Sequence, residues 1–575
     1  MVIYMPNWTK EQMDAINKSG TNIIVSAGAG SGKTAVLSER VLRILKEGTH
    51  INELLVLTFT NAAASEMKER IRKKIKEDES LVEELDLIDS SYITTFDSFA
   101  LSILKKYHYL LNISPNVSIA DESLINIEKN KYIDEIFEEY YKIKDKRFIN
   151  LIKTFCIKDD NEIRKAILDI SNKLNLKVEK EEYLNNYINL YFNDNKIDND
   201  ILEYERFLLS KIDEINNLIE ELSIYTDSSY IQNLTESLKN LLNSKTYEDI
   251  RNNIDIKLPT LPKNSSDLVK EIKDNINSII KELKELSFYN KKEIKDNILS
   301  TKEYVEIIIE IINKLDKKID EFKFKYDIFE FNDIAKLSIK IVKENNEIQE
   351  ELKNKFKEIL IDEYQDTSDI QETFINLIEN NNVYMVGDIK QSIYRFRNAN
   401  PYIFKNKYDN YSNNINGIKI DLNKNFRSRE EVLDNINLIF NKIMTNIEGG
   451  ADYKASHNMI FGNSTYNIEG KTNQNNNLEI LIYLVDKEYK KEEIEAFIIA
   501  NDIENKIKNK YQIFDKDKKI LRDITYNDFV ILMDRTTDFD LYKEIFTYKN
   551  IPLVQIKDSK MNDEIDLYII KNIIK

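Results

Sequence analysis

Residues 20–34 read GTNIIVSAGAGSGKT, and this stretch decides the fold. Its apolar, β-branched run predicts a short buried strand, and the glycines at 28, 30 and 32 predict a loop directly after it. Residues 34–48, TAVLSERVLRILKEG, carry apolar side chains at three- and four-residue spacing, which predicts an amphipathic helix. A strand, a glycine-rich loop and a helix therefore follow one another without a gap.

The same order of elements recurs along the chain. ELLVLTFTN at 53–61 predicts a buried strand, and AAASEMKERIRKKIKE at 62–77 predicts an amphipathic helix. FKEILIDEYQD at 356–366 and NNVYMVGDIKQS at 381–392 are apolar strands that end at polar residues, as are LEILIYLVD at 478–486 and DFVILMDR at 528–535. Strands that alternate with helices predict an α/β fold with a parallel sheet.

A helical block interrupts this alternation. Between about 111 and 324 the chain turns to segments rich in Lys, Glu and Asn with Ile and Leu at helical spacing, such as VKEIKDNINSIIKELKEL. We therefore expect three parts: a first α/β domain from 1–110 plus 325–415, an all-helical insertion at 111–324, and an incomplete second α/β domain at 416–575.

The amino-acid composition argues against several classes of protein. The 575 residues are 42% hydrophobic, which is enough for several packed cores and argues against a disordered chain. The single Cys156 cannot form an internal disulfide or complete a Cys-based metal site, and no apolar run is long enough for a membrane span. The start lacks a signal-peptide pattern, so a cytoplasmic protein is expected.

The glycine-rich stretch Ala27-Gly28-Ala29-Gly30-Ser31-Gly32-Lys33-Thr34 has the form of a phosphate-binding loop, with Ala in place of the first Gly. Backbone N–H groups at the start of the helix would hold the α- and β-phosphates of a nucleotide. Lys33 would reach the β- and γ-phosphates, and Thr34 would bind Mg²⁺. ATP and Mg²⁺ are therefore the expected cofactors.

Two acids after a later strand complete this chemistry. In ILIDEYQD, Asp362 is placed to hold Mg²⁺, and Glu363 is placed to orient and deprotonate the attacking water. Two acids after an apolar strand are usually a solvated strand end, so this assignment depends on the phosphate loop. Arg427 in LNKNFRSREE is a candidate cation for the γ-phosphate, although a lone Arg is normally a surface residue.

Seven segments in this order resemble the motifs of the UvrD/Rep/PcrA-type superfamily 1 DNA helicases. They are WTKEQMDAI, AGAGSGKT, LTFTNAAASEM, ITTFDSF, LIDEYQDT, VGDIKQSIYRFR and LNKNFRS. Within this family the motif sequences are most similar to those of the AddA branch, the helicase-nuclease subunits of recombination complexes. The resemblance covers about 6–110 and 325–440 strongly. It implies RecA-like P-loop NTPase domains, ATP-driven DNA unwinding in double-strand break repair and recombination, and 3′ to 5′ polarity.

The resemblance also implies roles for individual residues. Gln12 would contact the adenine and Phe426 would stack near it, Gln391 would sense the γ-phosphate, and Arg427 would contact it. The single-stranded DNA track would involve Phe59, Thr60, Asn61, Thr95, Phe96, Tyr394, Phe396 and Arg397. Aromatic side chains stack on bases without reading sequence. Core packing is the competing interpretation for each aromatic residue. The implied partners are duplex/single-strand junctions and an AddB-like subunit.

The net charge of −17 argues against a polybasic binder, but charge is distributed unevenly. Residues 64–76 hold six bases and two acids, and residues 386–429 hold nine bases and three acids. Both segments coincide with the implied DNA track, as a site for a polyanion requires. A solvated helix face is an equally good interpretation of 64–76.

The chain departs from the family pattern after residue 440. No segment resembling the family's later motifs V and VI, TxHxxKGLE-like or LTRAK-like, occurs in the sequence, and no strand-borne nuclease arrangement of acids is visible. We expect a truncated product. The alternative to a helicase is an ATP- and single-stranded-DNA-binding fragment or partner-binding module without productive unwinding. A third possibility is a structural protein whose helical part is the functional one.

Overall fold

The fold is that of a computed structural model, which describes residues 8–263, 265–445, 450–463, 478–485, 488–515, 518 and 520–556. The strands are β1 Ile23–Ala27, β2 Leu54–Thr58, β3 Tyr92–Thr95, β4 Ser118–Ile119, β5 Ile328–Phe329, β6 Glu358–Ile361, β7 Val383–Gly387, β8 Ile418–Leu422, β9 Lys424–Asn425, β10 Ile460–Phe461, β11 Gln512–Asp515 and β12 Ile520–Asp523.

Helices account for most of the remaining chain. They are α1 Lys10–Asn17, α2 Lys33–Lys46, α3 Asn61–Lys76, α4 Glu84–Leu87, α5 Phe96–Lys106, α6 Glu122–Ile143, α7 Lys146–Phe155, α8 Asn161–Leu174, α9 Lys180–Tyr191, α10 Asp194–Tyr225, α11 Ser228–Leu242, α12 Tyr247–Asn253, α13 Asp267–Leu286, α14 Lys291–Ser300, α15 Lys302–Tyr326, α16 Phe331–Glu344, α17 Asn346–Lys355, α18 Asp369–Ile378, α19 Pro401–Ser412, α20 Glu430–Ile443, α21 Lys491–Lys508 and α22 Phe539–Tyr548. Among the described helices, none combines the length and the apolar character needed to cross a bilayer.

The chain divides into two compact units. The first contains residues 1–96, 350–368 and 378–575, and the second contains 97–349 and 369–377. The first unit is built on a six-stranded sheet in the order β3-β2-β6-β7-β1-β8, and every pairing in it is parallel. The strands predicted in the apolar runs after 20, 53, 356 and 381 are confirmed as β1, β2, β6 and β7. The predicted α/β class with a parallel sheet is therefore confirmed.

Arg40 of α2 is a fully buried cation in the first unit. Its guanidinium forms a bidentate ion pair with Glu358 of β6, with Nε 3.0 Å from Oε2. Nη1 also donates to three backbone carbonyls at the end of α1, those of Ala15, Ile16 and Lys18, at 2.9, 3.2 and 2.7 Å. The guanidinium lies 4.1 Å from the ring centre of Tyr384 in β7. One side chain thereby joins two helices to two central strands.

The second unit is helical. One core lies among α10, α11, α12 and α13, and a second lies among α6, α7, α8 and α15. Leu and Ile at helical spacing supply most of these buried side chains, as the pattern of 111–324 predicts. The insertion expected at 111–324 thus consists of helices, apart from the short β4.

Two expectations from the sequence need correction. β8 at 418–422 pairs with β1, so the first sheet extends beyond the predicted domain boundary at 415. β8, IKIDL, is a half-buried edge strand in which apolar and charged residues alternate, so it lacks the continuous apolar run of the central strands. The strands predicted at 478–486 and 528–535 are wrong in their described parts: neither 478–485 nor 528–535 is paired with another strand. Ile482 and Leu532 there are 89% and 91% exposed, and no strand of the described residues lies against them.

The burial of Arg40 predicts a large loss of stability on its removal. Arg40→Met leaves Glu358 without its cation and three backbone carbonyls without a donor, so the free energy of unfolding should fall by about 3–5 kcal/mol. Urea denaturation followed by the fluorescence of Trp8, which packs against this core, measures the change. Arg70→Met in α3 is the control, because Arg70 pairs with Glu66 at the surface. A loss below about 1 kcal/mol is expected for that variant, and an equal loss in both would contradict the role assigned to Arg40.

Candidate nucleotide-binding site

The loop between β1 and α2 is shaped by two glycines with left-handed backbone. Gly30 has φ +70° and Gly32 has φ +86°, a region that residues with a Cβ rarely adopt. A Cβ on Gly30 would lie 2.7 Å from Cβ of Arg427. The backbone N–H groups of the first turn of α2, which begins at Lys33, have no partner within their own helix. These N–H groups and the helix dipole form an anion-binding concavity.

Lys33 and Glu363 meet at the carboxyl edge of the sheet. The Lys33 ammonium donates to both carboxylate oxygens of Glu363, at 3.2 Å to Oε1 and 2.9 Å to Oε2. Glu363 adopts the left-handed conformation with φ +52°, which is rare outside glycine, Asn and Asp. This strained residue projects its carboxylate towards the phosphate loop.

Asp362, the residue after β6, lies partly buried beside this pair. Burial, together with the neighbouring Glu363 carboxylate, raises the pKa of Asp362 from 3.8 to about 6. Carboxylate and hydroxyl oxygens are the ligands that Mg²⁺ prefers, and Mg²⁺ sites usually combine one or two carboxylates with substrate phosphates. Asp362 and the Thr34 hydroxyl on the first turn of α2 fit such an ion, because a cation would stabilise the ionised carboxylate that burial disfavours.

Gln391 lies on the loop after β7, the strand between β6 and β1. Its Nε2 donates to Oδ2 of Asp388 at 2.7 Å. Asp388 is buried, and its other oxygen accepts from the Lys390 ammonium at 2.7 Å. The loop that carries Gln391 is thus held by a buried carboxylate.

Gln12 and Phe426, the two residues implied for adenine, line the same small cavity. The cavity measures about 150 Å³ and also includes Thr9, Ser31 and Ile460 in its wall. Gln12 is buried, and its Nε2 donates to the backbone carbonyl of Ser31 at 3.0 Å. The cavity therefore opens beside the phosphate loop, and Gln12 connects the two.

Asn425 is a site residue that sequence reasoning missed. Its Nδ2 donates to the backbone carbonyl of Ala29 at 2.7 Å, and its Oδ1 accepts from the backbone N–H of Arg427 at 2.8 Å. The backbone N–H of Phe426 donates to Gly30 at 2.9 Å. Asn425 therefore fastens the segment bearing Phe426 and Arg427 to the phosphate loop. Asn425 is marked as a site residue by its burial beside Arg427. Burial cannot be read from a sequence, so nothing in the sequence indicated its role.

Three aromatic rings form a cluster, here called the platform, on the surface of the first unit. Phe59 lies 4.7 Å from Tyr394 between ring centres, and Tyr394 lies 5.8 Å from Phe396. Phe396 is 77% exposed, and the Arg397 guanidinium lies 5.5 Å and 5.8 Å from the centres of Tyr394 and Phe396. The structure thus brings together four of the residues implied for DNA, from two distant parts of the chain.

The other residues implied for DNA lie in different settings. Thr60 caps the N-terminus of α3, its Oγ1 accepting from the N–H of Ala63 at 3.1 Å, and Asn61 begins that helix in an exposed position. Thr95 and Phe96 are 8% and 7% exposed where β3 meets α5. Their burial agrees with the core-packing interpretation, and their role in DNA binding stays a prediction.

The basic residues of 64–76 lie along α3 and are largely paired within the protein. Four of the six form ion pairs: Lys68 and Arg72 with Asp89, Arg70 with Glu66, and Lys74 with Glu39. Arg72 also pairs with Glu69. Exposed pairs of this kind are weak, yet they reduce the positive field that α3 presents.

Residues 8–210 and 203–412 match the family model described as UvrD/REP helicase N-terminal domain. The match covers the sheet edge with its phosphate loop, the helical segment and the platform.

Curated relatives are subunits of an enzyme named ATP-dependent helicase/nuclease. The chain is 32% identical to the relative from Clostridium beijerinckii over 92% of its own length and 48% of the relative's. It is 33% identical to the protein of the same name from Listeria monocytogenes, over 95% of the chain and 48% of the relative. For Clostridium botulinum the identity is 32%, over 99% and 51%. The chain therefore spans about half the length of these relatives.

The raised pKa of Asp362 predicts a stability that depends on pH. The carboxyl group ionises at about pH 6 when folded and near its ordinary value of 3.8 when unfolded. Its contribution therefore favours the folded state below pH 4 and is lost as pH rises through 6. Asp362→Asn removes this cost, so the free energy of unfolding at pH 8 should rise by about 1–3 kcal/mol, and the gain should vanish near pH 4.

Urea denaturation at both pH values, followed by Trp8 fluorescence, measures this gain. Asp434→Asn on the exposed face of α20 is the control, with an expected change below about 0.5 kcal/mol. A loss of stability at pH 8 in Asp362→Asn would show that the carboxylate is well compensated in the folded protein and would contradict the argument.

Proposed function

The chain belongs to the UvrD/REP helicase family, and on this premise we propose that it is the ATP-hydrolysing part of a DNA helicase that acts in DNA repair and recombination. The observation that carries the proposal is the contact between Lys33 and Glu363, at 2.9 Å. A phosphate-binding cation and a general base lie in reach of one bound nucleotide, as ATP hydrolysis requires.

In the proposed reaction, ATP supplies the γ-phosphoryl group. Thr34 and Asp362 would hold Mg²⁺, which would supply positive charge to the phosphates. The backbone N–H groups at the start of α2 hold the phosphates, and the adenine occupies the cavity of Gln12 and Phe426. Lys33 leaves Glu363 for the phosphate oxygens, which frees the carboxylate to accept a proton from water. Gln391 and Arg427 contact the γ-phosphate.

We also propose that single-stranded DNA stacks on the platform. Base stacking on aromatic rings contributes about 1–3 kcal/mol per base and does not depend on sequence, which suits a protein that moves along DNA. Gln391 and the platform residues Tyr394 and Phe396 all lie within the short segment 391–396, so ATP and DNA contacts are close in the chain. By resemblance, movement is 3′ to 5′, the substrate is a duplex/single-strand junction, and the partner is an AddB-like protein.

Steady-state ATP hydrolysis tests the proposed reaction. We expect single-stranded DNA to raise turnover of the purified chain. Lys33→Ala should abolish nucleotide binding, and Glu363→Gln should lower kcat by about 100-fold or more while ATP still binds, because only the base is lost. Turnover is measured by phosphate release and binding by a fluorescent ATP analogue.

Lys257→Ala, at an exposed position in the helical unit, is the matched control and should behave as the unsubstituted chain. Nucleotide binding without DNA-stimulated turnover would support the alternative, a binding fragment without productive unwinding. No nucleotide binding at all would refute the proposed site.

Substitution of two of the rings tests the platform. Phe396→Ala and Tyr394→Ala should each weaken binding of single-stranded oligothymidine by about 1–3 kcal/mol, since each removes a stacking surface. Fluorescence anisotropy of a labelled oligonucleotide measures the affinity. Phe288→Ala removes a ring that is 69% exposed in the helical unit and should change the affinity little. Equal losses in all three variants would show that the platform has no special role.

A further inference from the structure

Gln365 is a buried amide that the proposed reaction does not yet use. It lies two residues after Glu363, is 1% exposed, and uses both ends of its side chain. Its Nε2 donates to Oε2 of Glu363 at 2.8 Å and to Oδ2 of Asp366 at 3.1 Å. Its Oε1 accepts the backbone N–H of Asp388 at 2.9 Å. Because a backbone N–H can only donate, this last bond fixes which end of the amide faces the carboxylates.

From this geometry we infer that Gln365 is a positioning residue, one side chain that holds the general base Glu363 and the loop of Gln391 in a fixed relation. The inference rests on the proposed ATPase function and deepens it. Neither role requires Gln365 to touch the nucleotide. It acts through Glu363 on one side and through Asp388 on the other.

On the side of the base, two groups donate to the Glu363 carboxylate in the described structure. They are the Lys33 ammonium and the Gln365 amide. When Lys33 moves to the phosphates, the amide still donates to Oε2. The carboxylate then keeps its orientation while Oε1 becomes available to water. A general base must be held within hydrogen-bond reach of the proton it removes, so this restraint supports turnover rather than binding.

On the side of the γ-phosphate, Gln365 holds the loop that begins at Asp388. The Asp388 carboxylate accepts from the Gln391 amide at 2.7 Å, so an amide, a backbone N–H and a carboxylate connect Gln365 to Gln391. Ser392 Oγ also donates to the backbone carbonyl of Gln365 at 3.3 Å. The segments after β6 and β7 are therefore joined at two points around one residue.

Gly387, the last residue of β7, lies in close contact with Gln365. A Cβ on Gly387 would lie 2.5 Å from Oε1 of Gln365 and 3.0 Å from its backbone nitrogen. Its φ is not in the left-handed region, so the close approach, rather than backbone freedom, requires glycine here. The end of β7 is shaped to receive the Gln365 amide.

Two substitutions separate the two roles. Gln365→Met removes every hydrogen bond of the amide at similar size. Gln365→Glu keeps an oxygen that can accept the Asp388 N–H, but the ionised group no longer donates to Glu363. The measurements are the Kd for ADP, the Kd for the slowly hydrolysed analogue ATPγS, and kcat with single-stranded DNA, all at pH 8 with Mg²⁺. Gln391→Ala serves as the reference for a lost γ-phosphate contact.

For Gln365→Met we expect kcat to fall at least about tenfold, and the preference for ATPγS over ADP to fall to that of Gln391→Ala, because a hydrogen bond to a charged group is lost. The Kd for ADP should stay within about twofold, since ADP has no γ-phosphate. For Gln365→Glu we expect the same loss of kcat with the ATPγS preference retained. Gln349→Met is the matched control, because the amide of Gln349 bonds a backbone carbonyl of the helical unit at 2.9 Å.

Unchanged kcat and an unchanged ATPγS preference in both variants would overturn the inference and leave the proposed function intact. A loss of ADP binding equal to the loss of ATPγS binding in both variants would also overturn it, since that result marks general disruption of the fold. Failure of the proposed function is a different outcome, in which the unsubstituted chain binds neither nucleotide.

Discussion

Three neighbouring strands, β6, β7 and β1, run parallel and in register, and the chemistry of the molecule depends on that alignment. Ile361 pairs with Met385, and Ser26 pairs with Gly387, so the three strands end at one edge of the sheet. Glu363 and Gln391 lie in the segments that follow β6 and β7, and Lys33 begins the helix that follows the loop after β1. More than 300 residues separate the first strand of this group from the next along the chain. The hydrogen bonds between strands bring their ends together, as in open α/β sheets whose ligands bind at the carboxyl edge.

Two residues at the carboxyl edge of the sheet reduce the stability of the folded protein, and the rest of the first unit offsets that loss. Glu363 holds a left-handed backbone, and Asp362 is a carboxyl group whose pKa burial raises to about 6. Both features oppose folding, because strain and uncompensated charge each cost free energy. The buried Arg40 connects two of the central strands, because its guanidinium pairs with Glu358 of β6 and lies over the ring of Tyr384 in β7. A sheet fixed in this way can keep a strained base and a destabilised carboxylate in position.

The sequence was sufficient for the elements with strong periodicity and for the residues that occur in recognisable motifs. β1, β2, β6, β7, α2 and α3 follow from apolar runs and helical spacing, and Lys33 and Glu363 lie together as expected. β8 was missed because IKIDL alternates apolar and charged residues and has no continuous apolar run, and its pairing with β1 was missed because a sequence does not show which strand lies beside it. Asn425 and Gln365 were missed for another reason. The role of an amide side chain depends on the groups with which it forms hydrogen bonds. The backbone carbonyl that accepts from Asn425 belongs to Ala29, 396 positions away in the sequence.

The platform and α3 show how the same kind of residue can have different consequences. Both regions are basic in sequence, and both coincide with the track implied for DNA. On α3 the cations meet acids of their own unit, as Arg72 does with Asp89, so much of their charge is neutralised before any DNA arrives. Arg397 instead lies beside the rings of Tyr394 and Phe396, where a cation and two π-faces are offered together. In the proposed role of the platform, an acidic chain would hold a polyanion through stacking at one exposed cluster, while its overall negative charge would keep nonspecific contacts weak.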